Sequence, residues 1–274
     1  MKDMAWLASY PKSGNTWVRL LMSAYLTGRS DINAIMCSTN DTYHYPYQAV
    51  APKQFDQMEG WEWAACACAA ALHVPLAIRE RPLLIKTHHA NLQPFGYTVI
   101  PHLMCEKAIY LIRDPRDVAI SYAKHIGASI DAAISSMGDD TTLLVKEGVP
   151  PQFICSWSQH VSSWLNHRSI EVMGVRYEDL TERPVDVFAG ILRFLEESPN
   201  TKRVEKAVEL TNLENLRQQE EKHGFAEASE QNKFFGQGGS TWRAILSHAQ
   251  INRITSDHGD LMNALGYQTL EVAA

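Results

Sequence analysis

Short apolar runs alternate with longer helical patterns along this chain, and that alternation constrains it most, because strands separated by helices join a parallel sheet. Four runs carry the signal: 4–9, 83–86, 108–112 and 172–176, each brief, mostly apolar and followed by loop or helix residues. They are expected to be neighbours in one sheet. Residues 16–26 place Trp17, Leu20, Leu21, Ala24 and Tyr25 at helical spacing, with Asn15 as N-cap and Gly28 past the end. Further helices are predicted over 115–124, 152–166, 185–195, 201–210 and 249–265, with Pro115 and Pro184 suited to first turns. The expected fold class is α/β: a central, mostly parallel sheet flanked by helices in three layers. Residues 37–60, with Tyr43, Tyr45, Tyr47 and Phe55, and 224–240, glycine-rich after Lys233, fit neither period. No linker separates domains, so both read as lid-like excursions over one domain spanning 1–274.

Composition narrows the partners. With 45% hydrophobic residues the chain has the material for a large core, and a formal charge of -6 argues against adhesion to nucleic acid or an anionic membrane surface. Any anion must therefore be held by a local cationic cluster. Five scattered cysteines make no disulfide framework and fit a reducing, cytoplasmic location. Cys66 and Cys68 have no second Cys/His pair at zinc spacing, so no metal is expected. The apolar stretch 5–8 is short for a signal peptide. Residues 61–78, interrupted by Glu62, His73 and Pro75, fall short of a membrane span and read as a buried helix.

Two segments carry chemistry. Tyr10-Pro11-Lys12-Ser13-Gly14-Asn15-Thr16-Trp17 sits between a strand end and a helix start, where backbone N–H groups, the helix dipole, Lys12 and the hydroxyls of Ser13 and Thr16 converge on an anion. It is not a Walker loop, which needs G-x-x-x-x-G-K-[ST]. At another strand end, Arg113-Asp114-Pro115-Arg116-Asp117 runs into a helix that contains Ser121, offering a bidentate phosphate grip and a further donor. Taken alone, the first is also an ordinary turn with a solvated lysine and the second a helix-capping ion-pair network.

Together these segments resemble the signatures of the PAPS-dependent sulfotransferases, the first their 5'-phosphosulfate loop (Y-P-K-S-G-T-T-W) and the second their 3'-phosphate motif (R-x-P-[KR]-D-x-x-x-S). The resemblance continues in family order with Lys86-Thr87-His88 for K-T-H, Arg176-Tyr177-Glu178-Asp179 for [RK]-Y-E-D, and Gly259 to Tyr267 for the C-terminal G-D-L-x-x-x-L-G-Y. With its phosphate loop starting near residue 10, the chain looks more like bacterial small-molecule or glycopeptide sulfotransferases than the longer animal enzymes. The resemblance implies a P-loop-like fold and transfer of a sulfuryl group from PAPS to a hydroxyl or phenol, leaving PAP, on a small-molecule, natural-product or glycopeptide acceptor.

By the same resemblance His88 is the general base, while Lys12 and Lys86 stabilise charge on the bridging oxygen and the sulfuryl group. Donor binding falls to Lys12, Ser13, Gly14, Asn15, Thr16, Trp17, Arg113 and Ser121, with Trp17 stacking on adenine. Tyr177, Thr211 and Leu213 complete the purine pocket, Leu213 replacing an aromatic residue. The family's R-K-G-x-x-G-x-W is here Phe235-Gly236-Gln237-Gly238-Gly239-Ser240-Thr241-Trp242, without the basic pair. Backbone amides at Gly238 and Gly239, or Lys233 or Arg243, are the candidates to replace it. An imidazole of ordinary pKa about 6.5 suits a base near neutral pH, and successive strand residues face opposite ways, so His88 and His89 cannot both serve. Two rivals remain open at this point: a P-loop phosphotransferase acting on a small metabolite, and a non-catalytic PAP-binding module. Acceptor identity and oligomeric state are not written in the motifs.

Overall fold

The computed structural model describes residues 4–36, 38–42, 44–77, 83–103, 105–146, 149–228, 233–236 and 240–268. Its strands among these are Met4–Ser9 (β1), Ser38–Asn40 (β2), Leu83–Thr87 (β3), Lys107–Ile112 (β4), Leu143–Lys146 (β5), Val149–Phe153 (β6) and Glu171–Arg176 (β7). The central sheet has the order β2-β3-β1-β4-β7, and every pairing in it is parallel. All four runs predicted from the sequence belong to it. The edge strand β2 comes from the irregular stretch 37–60, while β5 and β6 form a separate antiparallel hairpin.

β1 is buried from end to end because helices cover both of its faces. Trp6 and Ala8 look towards Gly60–Ala77, Pro115–Ile126, Trp157–Leu165 and His248–Ala264, sharing a core with Ala67, Val118, Trp157 and Ile254. Ala5 and Leu7 look the other way, onto Val18 and Leu21 of Asn15–Thr27 and Phe188 and Ile191 of Pro184–Phe194. Two cores on opposite faces of one sheet make the three layers. The stretch read as a buried helix is the helix Gly60–Ala77, and no described helix is long and apolar enough to cross a membrane.

Two local expectations are corrected. Residues 152–166 do not form one helix: Gln152 lies in β6, and the helix starts only at Trp157, where Ser156 Oγ accepts from Gln159 N. Pro150 and Pro151 favour extended backbone there, and the Ser156 cap sets the boundary. Asn15 is not the N-cap of its helix. Gly14 takes that position in a left-handed conformation, and Asn15 turns its side chain back, donating from Nδ2 to Leu7 O at 3.0 Å and to Ser9 Oγ at 3.3 Å. Asn15 thus ties the loop to the strand it leaves. Asn15→Ala is expected to destabilise the protein by about 1 to 3 kcal/mol, since it removes two buried hydrogen bonds, to Leu7 O and Ser9 Oγ. Urea unfolding measures this, and an unchanged midpoint would refute the tie.

Candidate active site

β1 has β3 on one side and β4 on the other, so the chain leaves the three strand ends in opposite directions and opens a crevice at their C-terminal edge. Loop 10–14 follows β1, His88 follows β3, and Arg113 follows β4. Loop 10–14 is sharply wound, with Lys12 at φ 69° and Gly14 at φ 100°. Left-handed backbone is costly for a lysine, and such strain collects at functional sites. Glycine is needed at 14 twice over, because a Cβ there would lie 2.7 Å from Tyr177 Cδ2. Ser13 is buried with its hydroxyl unpartnered, which suits it to donate to a bound anion.

The cationic cluster demanded by the acidic composition is present. Burial, with Arg113 and Lys86 adding to it, lowers Lys12 to about 8, and its ammonium lies 3.9 Å from the centre of the Phe234 ring. Burial also depresses Lys86. Arg113 donates from Nη1 to Lys12 O at 3.1 Å and stacks over Tyr177 at 4.4 Å. Two residues not anticipated from the sequence complete the cluster: Arg19 and Glu227. Glu227 pairs with Arg19 at 2.7 Å and Lys86 at 3.5 Å, and accepts from Thr16 Oγ1 at 3.3 Å. Burial pushes the Glu227 carboxyl up, but Lys86 and Arg19 outweigh it and hold the group below its ordinary value. Arg19 had a legible signal, lying three residues after Thr16 on one helix face.

His88 is fixed through a single nitrogen. Its Nδ1 lies 2.8 Å from the Ser9 carbonyl, which can only accept, so Nδ1 carries the proton and Nε2 keeps its lone pair. Ser9 Oγ lies 3.3 Å from the same Nδ1. Burial first, then the Lys86 charge, push this imidazole well below 6.5, so it is neutral at physiological pH. His89 points elsewhere: it is buried, its Nδ1 accepts from Phe153 N at 3.1 Å, and burial lowers it to about 3. Both imidazoles lie just past the end of β3, and they are separated by their hydrogen-bond partners, Ser9 O for His88 and Phe153 N for His89.

The remaining predicted residues divide. Trp17 donates from Nε1 to Thr211 O at 3.1 Å and meets Tyr177 edge-on at 6.1 Å, which brings Trp17, Tyr177 and Thr211 to one wall. The Thr211 hydroxyl itself donates to Ala207 O. Leu213 packs in a neighbouring cluster with Leu20, Phe225 and Phe235, which Trp17 also touches. Ser121 is half-buried on Pro115–Ile126. Glu178 binds two motifs together, accepting from Asp114 N at 3.0 Å and Tyr267 OH at 2.8 Å. Gly238 and Gly239 lie outside the described residues. Of the suggested substitutes for the missing basic pair, Lys233 is engaged by Glu221 at 2.7 Å and Arg243 lies over Trp242 at 4.3 Å.

From His89, the neighbour of His88 in the chain, a run of rings reaches the surface. Phe153 stacks on His89 at 5.9 Å and meets Phe95 at 6.3 Å, and Phe95 is 65% exposed at a positive φ of 54°. Trp61 is exposed too, whereas Tyr47 and Trp63 are buried against each other in the core. Tyr43 lies outside the described residues. Asp41, at the end of β2, is buried; burial raises it to about 7, and its Oδ2 has no hydrogen-bond partner. Among the described residues no cluster of His, Cys, Asp and Glu is arranged to hold a metal.

Residues 2–266 match the family model described as Sulfotransferase domain. Among curated proteins, sulfotransferase 1B1 of the dog, Canis lupus familiaris, is 26% identical over 216 residues, and mouse sulfotransferase 1E1 is 25% identical over 217. Each alignment covers 77% of this chain and 65% of the relative's own length, so the chain spans under two thirds of the curated proteins it matches. In fold it is similar to mouse sulfotransferase SULT7A1 complexed with PAP (TM-score 0.63, 18% identity, 97% of this chain and 88% of that one). It is similar as well to retinol dehydratase in complex with androsterone and PAP (TM-score 0.66, 15% identity, 95% and 81%).

Proposed function

Because this chain belongs to the sulfotransferase family, we propose that it transfers a sulfuryl group from PAPS to a hydroxyl or phenol of a small-molecule, natural-product or glycopeptide acceptor, leaving PAP, in the cytoplasm and as one domain. PAPS supplies an activated sulfuryl group on a phosphate leaving group. The residues fit such a donor: an unpartnered buried hydroxyl on Ser13, the ammonium groups of Lys12 and Lys86, and a carboxylate already lodged among Thr16, Arg19 and Lys86.

The observation that carries this reading is the bond from His88 Nδ1 to the Ser9 carbonyl. It commits one imidazole nitrogen as donor and leaves Nε2 basic, two residues from Lys86 and across from the loop that holds Lys12. Nε2 takes the proton from the acceptor hydroxyl as its oxygen forms the new bond to sulfur. Lys86 offsets charge on the sulfuryl oxygens, and Lys12 offsets the charge that develops on the departing phosphate. Trp17, Tyr177 and Thr211 bound the adenine, while Arg113 and Ser121 bind the 3'-phosphate. The exposed ring of Phe95, in line with Phe153, favours an acceptor with an apolar or aromatic body.

Incubation with sulfur-labelled PAPS and a panel of phenols, alcohols, sugars and glycopeptides tests the proposal. Label is expected in a hydroxyl acceptor without added metal, and phosphate transfer from ATP and Mg²⁺ in its place would defeat it. For the donor, Arg113→Ala is expected to weaken PAP binding by about 1.5 to 3 kcal/mol, the worth of a charge-assisted contact, with ATP much less affected. Equal losses for both nucleotides in calorimetry would remove Arg113 from the 3'-phosphate.

A further inference from the structure

Glu227 sits as a ligand sits. Three groups from two elements close on its carboxylate: Thr16 Oγ1 at 3.3 Å, Arg19 Nη1 at 2.7 Å and Lys86 Nζ at 3.5 Å. Thr16 and Lys86 belong to the donor site proposed above, and Arg19 shares a helix face with Thr16. Arg19 is itself buried and anchored, its Nε donating to Ser38 Oγ at 2.8 Å on the edge strand, so its guanidinium is held in place from two directions. The carboxylate arrives from the segment that follows the helix Leu213–His223. Further along that segment Phe234 covers the Lys12 ammonium, and Glu220 secures it by accepting from the N–H groups of Phe234 and Phe235. One stretch of chain thus neutralises Arg19 and Lys86 and screens Lys12.

We propose that Glu227 is an internal stand-in for the donor: in the nucleotide-free protein its carboxylate fills the seat of the 5'-phosphosulfate oxygens, donor binding displaces it, and Arg19 then becomes a further donor-binding residue. This rests on the sulfotransferase reading. The physical reason is that buried cations without an anion are costly, so a protein that collects Lys12, Arg19, Lys86 and Arg113 around one crevice is steadier with a counter-charge of its own. The consequence is competition. Every donor must break the Arg19–Glu227 pair before it makes its own contacts, which lowers apparent affinity by the fraction of molecules in which the seat is filled.

Calorimetry with PAP and with adenosine 3'-monophosphate, which has no 5' group, tests this on the whole protein. Glu227→Gln is expected to bind PAP about 10-fold tighter, the size of one displaced charge-assisted contact, while adenosine 3'-monophosphate changes by less than about 2-fold. Glu227→Asp keeps the charge but is one methylene shorter, so it is expected to bind PAP more tightly than the unaltered protein as well. In the Glu227→Gln background, Arg19→Met is expected to weaken PAP by about 10-fold. Unchanged or weaker PAP binding in Glu227→Gln would overturn the proposal and make Glu227 a positioning residue for Lys86. Equal gains for both nucleotides would overturn it too, as a bulk charge effect. Failure of PAP to bind any form would instead strike the sulfotransferase reading itself.

Discussion

Turnover in His88→Asn is expected to fall by about 10² to 10⁴, the usual contribution of a general base, while the affinity for PAP stays within about 2-fold. Asparagine keeps a polar side chain near the Ser9 carbonyl but has no basic nitrogen. The same change at His89 has a different signature, because His89 is buried and receives Phe153 N. It is expected to cost stability and leave turnover nearly intact. Direction of titration follows from each group's proposed role. The base works deprotonated, so activity is gained as pH rises through the His88 pKa; burial and Lys86 place that pKa well below 6.5, and the rising limb of kcat/KM belongs on the acid side of that value. The cation works protonated, so donor capture is lost as pH rises through the Lys12 value of about 8. Lys12→Arg should move the alkaline limb upward and leave the acid limb where it was. His88→Asn retaining more than about a tenth of the activity, or a rising limb centred above neutrality, would transfer the role to another group.

The strands were legible in proportion to their apolar content. β1, β3, β4 and β7 show as apolar runs because they carry the shared cores, and β1 and β4 are closed off on both faces. β2 is three polar residues at the sheet edge, with no apolar period to betray it. The hairpin of β5 and β6 is short and separate from the main sheet, and its last two residues, Gln152 and Phe153, were read as the start of the helix that begins only at Trp157. Loop 10–14, proposed above to hold the donor, was singled out by residue types suited to an anion, and its neighbours by family order. Glu227 was not, since a carboxylate within an excursion looks like any solvated acid until the fold lays it against Thr16, Arg19 and Lys86. Asn15 shows the limit of a local rule. Its residue type suits an N-cap, but the left-handed Gly14 occupies the cap and frees Asn15 to fasten the loop to β1.

The largest loss of stability is expected from the pair inside the second motif. Arg116 is 2% exposed and Asp114 6%. The guanidinium donates from Nε to Asp114 Oδ1 at 2.8 Å and from Nη2 to Oδ2 at 2.7 Å, gives Nη1 to Gln268 O at 3.0 Å, and lies 3.9 Å from the centre of the Trp242 ring. Removing one partner leaves the other as an uncompensated buried charge, so Arg116→Met is expected to cost about 3 to 5 kcal/mol, a large share of a domain's total stability. Asp114→Ala should cost about 1 kcal/mol more. Its Oδ1 also accepts from Arg116 N and caps the helix Pro115–Ile126, a contact that Arg116→Met leaves in place. The double substitution should be milder than the sum of the two, because with both charges gone nothing buried is left unpaired except the cap. Urea unfolding of the three variants supplies the cycle. Because Arg113 immediately precedes the pair, the single variants should also lose affinity for PAP at temperatures where they remain folded. Single losses within about 1 kcal/mol, or strict additivity, would mean that this pair is solvated in solution and does not hold Arg113 in place.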